Sequence, residues 1–545
     1  MIRRLLRALA AAAVVLAPGV ALAGELAVAW LPGTTVQTHG VVPAQVPLGS
    51  LWKLFVYAYA ADQRLESPPY RCGADRLAGE EYCCEPGSSV TLDTALARSC
   101  GLAFAPWRLG IEPAAWRDFW SARTGGEPAW LTDLERLGPD TEAPVTQILQ
   151  SLAAVPSGAR RAAERALLPV MTAGYGRDAL PELGGSLRVK TFTWALPSAP
   201  DQRWGGAAGW RVDGLPVWFA ADGASRQVLR THAATVARVL PPLTRAPADE
   251  PCVVVDFFSR YPVAGVDRLP EGSPATEGTL AGRFRVRFDN GQVLVFESTG
   301  DLALDTRDGR VRITGRLGLT EYVARVVDRE ADPAETEAAR ALAVVARSWL
   351  LENARFESGC YRVEDSSRAQ RVSANPATAR ARAVALFGDG LLLAGASPGY
   401  RLETTQPGVL SWRDAVASGR SGAGFDTLLS DAFPGSALAT ADGERDCRRL
   451  QDVERWLARA MPRWQASLAA EPGFDPPPSL PTACALDHGN PYSDAARLRI
   501  YVRGARTADE RVAIAHEYLH LAFRFHPRGR DERFVEQVAR RLETP

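Results

Sequence analysis

Between Ala513 and Ala522 the chain reads Ala-Ile-Ala-His-Glu-Tyr-Leu-His-Leu-Ala, and the interval from His516 to His520 narrows what this segment can become. Residues four apart share one face of an α-helix. Both imidazoles then point the same way, with Glu517 beside them. This residue set can hold a zinc ion through two ring nitrogens, and the carboxylate can take a proton from a water that the ion polarises. Four of the six histidines fall in the last 58 residues, so imidazole is concentrated where the motif lies.

A third ligand has two sources. His526 lies ten residues after His516, the offset of the metzincin pattern, but Phe523 stands where that pattern has the glycine of its turn. The other source is a carboxylate. Pro527-Arg528-Gly529-Arg530 reads as a turn and Asp531 to Arg540 as a helix, with Glu532 and Glu536 one turn apart. The arrangement is similar to the two-helix gluzincin site. Glu536 is favoured over His526, with Glu532 open.

The first residues place the chain outside the cytoplasm. Arg3, Arg4 and Arg7 precede the apolar run Ala8 to Ala17, and Ala21-Leu22-Ala23 is a small-residue cleavage site. This is the layout of a secretory signal peptide over 1–23, too short for a spanning helix. No later segment reaches that length, so a periplasmic or secreted protein with no integral span after cleavage is expected. An oxidising compartment suits eight cysteines that all follow the leader. Cys72, Cys83, Cys84 and Cys100 cluster, and Cys252, Cys360, Cys447 and Cys484 are spread out. The adjacent pair Cys83-Cys84 does not have zinc-ligand spacing, so disulfides are favoured over a metal cluster. The formal net charge is zero, which argues against nucleic acid as a partner.

A chain of 545 residues implies several domains. The texture divides it at 24–240, 252–410 and 411–545. Pro241, Pro242 and the stretch Arg245 to Pro251 read as a linker, and Pro476 to Pro478 with Pro481 as a stiff connector. Cys252 to about Gly315 alternates like strands, with Asp289-Asn290-Gly291 as a hairpin turn. Leu319 to Phe356 has helical periodicity. Trp210 to Phe219 reads as one strand, and a strand from Leu498 to Val502 leads into the last helices. The expected class is α+β and multidomain, ending in a mostly helical, zincin-like domain.

Ser50 and Lys53 stand three residues apart, so a helix puts both on one face, where a neutral amine could remove the serine proton for attack on an acyl group. Pro47 to Phe55 resembles the Ser-x-x-Lys motif of penicillin-binding proteins and serine β-lactamases. Ser99-Cys100-Gly101 falls where that family has Ser-x-Asn, and Lys190-Thr191-Phe192 where it has Lys-Thr-Gly. The resemblance implies a transpeptidase-like α/β domain with Ser50, Lys53, Ser99 and Lys190 in its site. Gly101 and Phe192 depart from the pattern.

Leu319 to Glu330, followed by Ala338 to Trp349, looks like the SpoIID/LytB family of sporulation and cell-wall proteins. That resemblance covers about 275–410 and implies an α+β domain with Glu330 as catalytic acid of a lytic transglycosylase. One carboxyl can protonate a glycosidic oxygen and then act as base when the sugar's own hydroxyl closes on the anomeric carbon. The whole arrangement resembles a family of secreted multidomain proteins of Gram-negative bacteria. It implies a zinc-dependent peptidase or amidase with peptidoglycan or envelope proteins as substrate. The alternative is a non-enzymatic envelope scaffold.

Overall fold

The computed structural model describes residues 25–72, 83, 89–172, 176–196, 199–244, 246, 250–307, 309–394, 398–433, 436–440, 450–477, 480–486, 491–494, 499–524 and 526–543. The expected leader, Cys84 and Cys447 lie outside them.

The front part is built on an antiparallel sheet in the order Gln37–His39, Ala27–Trp30, Pro216–Asp222, Ala199–Arg211, Leu187–Leu196. Alternation along the strands gives each face its own core. Ala29, Phe192 and Trp218 pack with the helical region between Trp52 and Val170. Val28, Val189, Val217 and Phe219 pack the other way, on the helix Ser225–Val239 and the middle of the chain. The stretch Trp210 to Phe219, expected as one strand, is the end of a hairpin. Gly214, at φ +83°, turns the chain so that Trp210 pairs with Pro216. A side chain is strained at that φ, and glycine is not.

The middle part centres on an eight-stranded sheet. Its order is Ser273–Pro274, Val263–Leu269, Gly278–Phe288, Val293–Arg307, Arg310–Gly318, Cys252–Phe257, Cys360–Glu364, Arg355–Glu357. The expected turn at Asp289-Asn290-Gly291 joins two of these strands, with Gly291 at φ +80°. Cys252 and Cys360 sit in register on parallel neighbours and are bonded, as are Cys83 and Cys100. Cys72 and Cys484 also lie in disulfides, and no cysteine among the described residues is free.

The helical stretch expected from Leu319 to Phe356 is two helices, Leu319–Glu330 and Thr336–Asn353, followed by the strand Arg355–Glu357. Pro333 disfavours helical backbone at the residue before it, which breaks the run and leaves Glu330 as the last residue of its helix. Glu250, inside the expected linker, accepts a hydrogen bond from the Thr320 amide at 2.9 Å and satisfies an open N–H of that helix. Burial pushes the Glu250 carboxyl from 4.5 up to about 7, against the hydrogen bonds from Thr320. A carboxyl raised on folding binds its proton more tightly in the folded chain. Its stabilising contribution is therefore present at low pH and is lost as pH rises from 4.5 to about 7. Glu250→Gln should flatten the fall in unfolding free energy across that window, followed by urea titration at several pH values. A wild-type slope in the mutant would reject this.

The boundary expected at 411 falls inside a shared core. Phe425, Leu428, Leu429 and Phe433 pack with the front sheet and with Leu342 and Val345 of the Thr336–Asn353 helix. Arg188 of the front sheet, almost fully buried, pairs with Asp389 at 2.7 Å and ties the same junction. The last part has its own core around Trp464, Tyr518 and Val535, from the helices Gln451–Leu468, Ala508–Ala522 and Glu532–Glu543. It is less purely helical than expected. Thr482–Ala485, Arg499–Val502 and Tyr492–Asp494 form a mixed sheet in that order against the second helix. Arg499–Val502 is the strand expected before the last helices, whereas Thr482–Ala485 and Tyr492–Asp494 are too short to register as a period-two pattern. No helix among the described residues is long and apolar enough to cross a membrane.

Candidate active site

The helix Ala508–Ala522 begins at a capping box: Thr507 accepts from the Glu510 amide at 3.1 Å, and Glu510 accepts from the Thr507 amide at 3.0 Å. This sets the helix start, and helical spacing then puts His516 and His520 side by side, their ring centroids 4.9 Å apart. Ligand atoms of His516, Glu517 and His520 all lie within 4.8 Å of one another.

The helix Glu532–Glu543 packs across them and brings both expected carboxylates to the site. Glu532 Oε2 lies 3.1 Å from His516 Nε2, and its Oε1 lies 3.5 Å from His520 Nε2. Glu536 meets His516 on the other ring nitrogen, Nδ1, at 3.1 Å. Glu532 is thus the carboxylate that faces the Nε2 atoms of both imidazoles, whereas Glu536 also pairs with Arg540 at 2.6 Å. The close turn depends on Gly529: a Cβ there would stand 2.4 Å from the Phe523 carbonyl. The Gly529 carbonyl accepts from His520 Nδ1 at 2.8 Å, leaving Nε2 unprotonated and free to act as a ligand. His526 turns away. It packs on Gly473, where a Cβ would lie 2.1 Å from the ring, and its Nδ1 accepts from the Arg528 amide.

Glu517 is buried, with 4 % of its surface exposed. Ser493 supplies one hydrogen bond, and Oε2 has no partner. Burial pushes this carboxyl up to about 8; the Glu532 charge adds to the shift, while His516 and Ser493 oppose it. Burial works to lower the His516 imidazole, but Glu532, Glu517 and Glu536 hold it up at about 9. Burial depresses His520, and the His516 hydrogen bond lowers Glu532. The same geometry serves a protonated His516 paired with Glu532, or two neutral imidazoles and a carboxylate around a divalent cation. The orphaned Oε2 fits the second arrangement, because a buried polar atom without a partner is costly unless a ligand or water completes it. These groups open into a cleft of about 720 Å³, whose other wall includes Asp426, Leu429 and Ser430.

Three of the four serine-site residues come together. The buried Lys53 ammonium donates to Ser50 Oγ at 3.3 Å, to Ser99 Oγ at 3.1 Å and to the Ser99 carbonyl at 2.9 Å. Ser99 sits at φ +64°, a strained position for a non-glycine residue. Lys190 is fully buried on the adjoining strand and donates to the Thr191 carbonyl. Phe192 fills the place of the family glycine with a ring that packs on Trp204 and Trp218, and its Cβ would stand 3.2 Å from a Cβ on Gly49.

Glu330 lies at the end of its helix, where Oε1 accepts from the Arg371 amide at 3.0 Å. Burial raises its carboxyl, while Arg371 and Arg329 oppose the shift. The Tyr400 hydroxyl is buried without a hydrogen-bond partner; burial and the Glu330 charge push it up. Asp365, accepting from the Val372 and Phe258 amides, stands beside the same group. Tyr400 and Ser493 escaped the sequence reading, since nothing local marks them, and Gly529 was legible as part of a turn but not as the acceptor for His520. Asp509, which also lines the C-terminal cleft, lies seven residues before His516, and the helical period would have placed it there.

Comparison with known proteins bears on the whole chain. A family model described as a predicted secreted protein (DUF2300) matches residues 75–201 and 408–528, and one for a stage II sporulation protein (SpoIID) matches 307–385. The second falls in the gap of the first and includes Glu330. Over 497 residues the chain is 40% identical to "Uncharacterized protein YfaQ" of Escherichia coli (strain K12), covering 91% of this chain and 89% of that one. Similar solved structures include L2 complexed with relebactam, at 18% identity, 40% of this chain, 92% of that chain and TM-score 0.28. A β-lactamase from Desulfarculus baarsii DSM 2075 matches at 17% identity, 39% of this chain, 91% of that chain and TM-score 0.27.

Proposed function

We propose, on the premise that this chain belongs to the family of predicted secreted proteins shared with YfaQ, that it is a zinc-dependent peptidase or amidase of the cell envelope. Peptidoglycan or envelope proteins are its substrate. The SpoIID segment supports a cell-wall-related role. The observation that carries the reading is the convergence of His516, His520 and Glu532 beside the buried, half-satisfied Glu517 at a large cleft.

His516 and His520 would hold the ion, with Glu532 ahead of Glu536 as the carboxylate ligand because it reaches both Nε2 atoms. A bound zinc supplies Lewis acidity and lowers the pKa of water. The Gly529 carbonyl holds the His520 ring, and Ser493 holds one Glu517 oxygen so that Oε2 can accept a proton from the attacking water. Purified mature protein should contain about one zinc per chain, and His516→Ala/His520→Ala should contain none. No zinc in either, after incubation with the metal, would sink the metallopeptidase reading.

Two further sites favour two further activities. Glu330, raised by burial within the SpoIID-matched segment, would act as the proton donor of a lytic transglycosylase. The Ser50–Lys53–Ser99 cluster would form an acyl-enzyme. A fluorescent penicillin should label the wild type and leave Ser50→Ala unlabelled. Absence of label in both would make the front domain a binding module, and loss of all three activities would leave an envelope scaffold.

A further inference from the structure

The charges that line the C-terminal cleft are unequal, and the imbalance bears on what the cleft takes. Asp509, Ala513, His516 and His520 all line it, at intervals of four, three and four residues, so one face of the helix forms the wall. Asp426 comes from the helix Phe425–Ala432, far away in sequence. Among the described residues Arg540 is the only lysine or arginine in the lining, and it is paired with Glu536. Glu532 is engaged by the two imidazoles and Glu517 by Ser493. Asp426 and Asp509 form no ion pair among the described residues. Two histidines, Glu532, Glu517 and a divalent cation sum to about zero, so these two aspartates would leave the described lining negative with the ion bound.

Acids at helix starts are stabilising in their own right, and by themselves Asp426 and Asp509 would say nothing. Their significance comes from the cavity they share with Glu517, a residue that lines the same space and whose buried Oε2 lacks a partner. We propose that this cleft binds a peptide carrying a free amino group, held by Asp426 and Asp509. The proposal rests on the hydrolytic reading of the His516–Glu517–His520 site and adds the substrate class. Seven residues of helix separate Asp509 from His516, an axial distance of about 10 Å. An extended peptide covers about 3.3 Å per residue, so the amino group belongs about three residues from the bond under attack.

The test uses binding, so that it does not depend on turnover. Alanine hexapeptides with one lysine at each position, and the same peptides with that lysine and the terminal amine acetylated, are titrated calorimetrically onto zinc-treated Glu517→Gln protein. Zinc content is measured on the same samples. The free-amine peptides should bind on the order of tenfold tighter than the acetylated ones. Adding Asp426→Asn or Asp509→Asn should remove most of that difference without changing the zinc content. Equal affinity for the two peptide sets, or no binding of either, overturns the proposal. If zinc is bound in that case, the hydrolytic reading survives. A preference for the free amine in protein that holds no zinc would sink the hydrolytic reading and leave the amine site standing.

Discussion

Glu517→Gln is expected to lower peptide or amide hydrolysis by about a thousandfold while zinc content stays at the wild-type level. The amide keeps the shape of the carboxylate and can still accept from Ser493, so the fold should not change. What is lost is the proton acceptor. In the wild type Oε2 is buried and unpartnered on a residue that lines the cleft, and burial pushes the carboxyl up to about 8, which keeps it protonated near neutral pH while no cation is bound. A cation at the neighbouring imidazoles would draw that pKa back down. The paired readout separates the two roles: lost activity with retained zinc identifies the base, whereas lost zinc would make Glu517 a ligand. Full activity in Glu517→Gln would reject this site as the catalytic one.

Arg325→Met is expected to destabilise the middle domain by about 3 kcal/mol. Arg325 is 1 % exposed and pairs with Asp301 on the sheet and with Glu321 at 2.8 Å on its own helix. It also reaches the Ala374 carbonyl, so one guanidinium ties the sheet, the helix and the stretch that leads into the helix Ala379–Phe387. Removing it leaves two carboxylates in a poorly solvated place. Partial relief comes from Arg382, which holds Glu321 at 2.7 Å, and from Ser298 and Thr299, which donate to Asp301. These contacts keep the cost near the lower end for a broken buried pair. Arg382→Met is the comparison. Its side chain is partly exposed, and screening by water should hold its effect to about 1 kcal/mol. Chemical denaturation of both variants decides the matter, and equal midpoints would refute the assignment.

The features legible in advance were those that a single element determines. Four-residue spacing puts His516 and His520 on one face wherever that helix lies, and three-residue spacing does the same for Ser50 and Lys53. The Asn290-Gly291 turn followed from local backbone preference, and disulfides from the number of cysteines after the leader. The breaks at Pro333 and Gly214 were also written in the chain, but the apolar periodicity on either side obscured them.

Other features depend on how elements meet. Glu532 and Glu536 are equivalent on their own helix. The crossing of that helix over Ala508–Ala522, at the close contact of Gly529 with Phe523, turns Glu532 to both Nε2 atoms and Glu536 to Nδ1. His526 has the spacing of a ligand, yet packing against Gly473 directs it elsewhere. Ser493 on Glu517, Ser99 on Lys53, Tyr400 by Glu330 and Asp426 across the cleft come from segments whose nearness no local pattern records. The sequence by itself determined the helix faces and so the pairs of groups able to do chemistry. The third ligand, the buried environment of Glu517 and the acidic wall of its cleft were decided by tertiary packing, because desolvation and convergence arise only where separate surfaces close on one another.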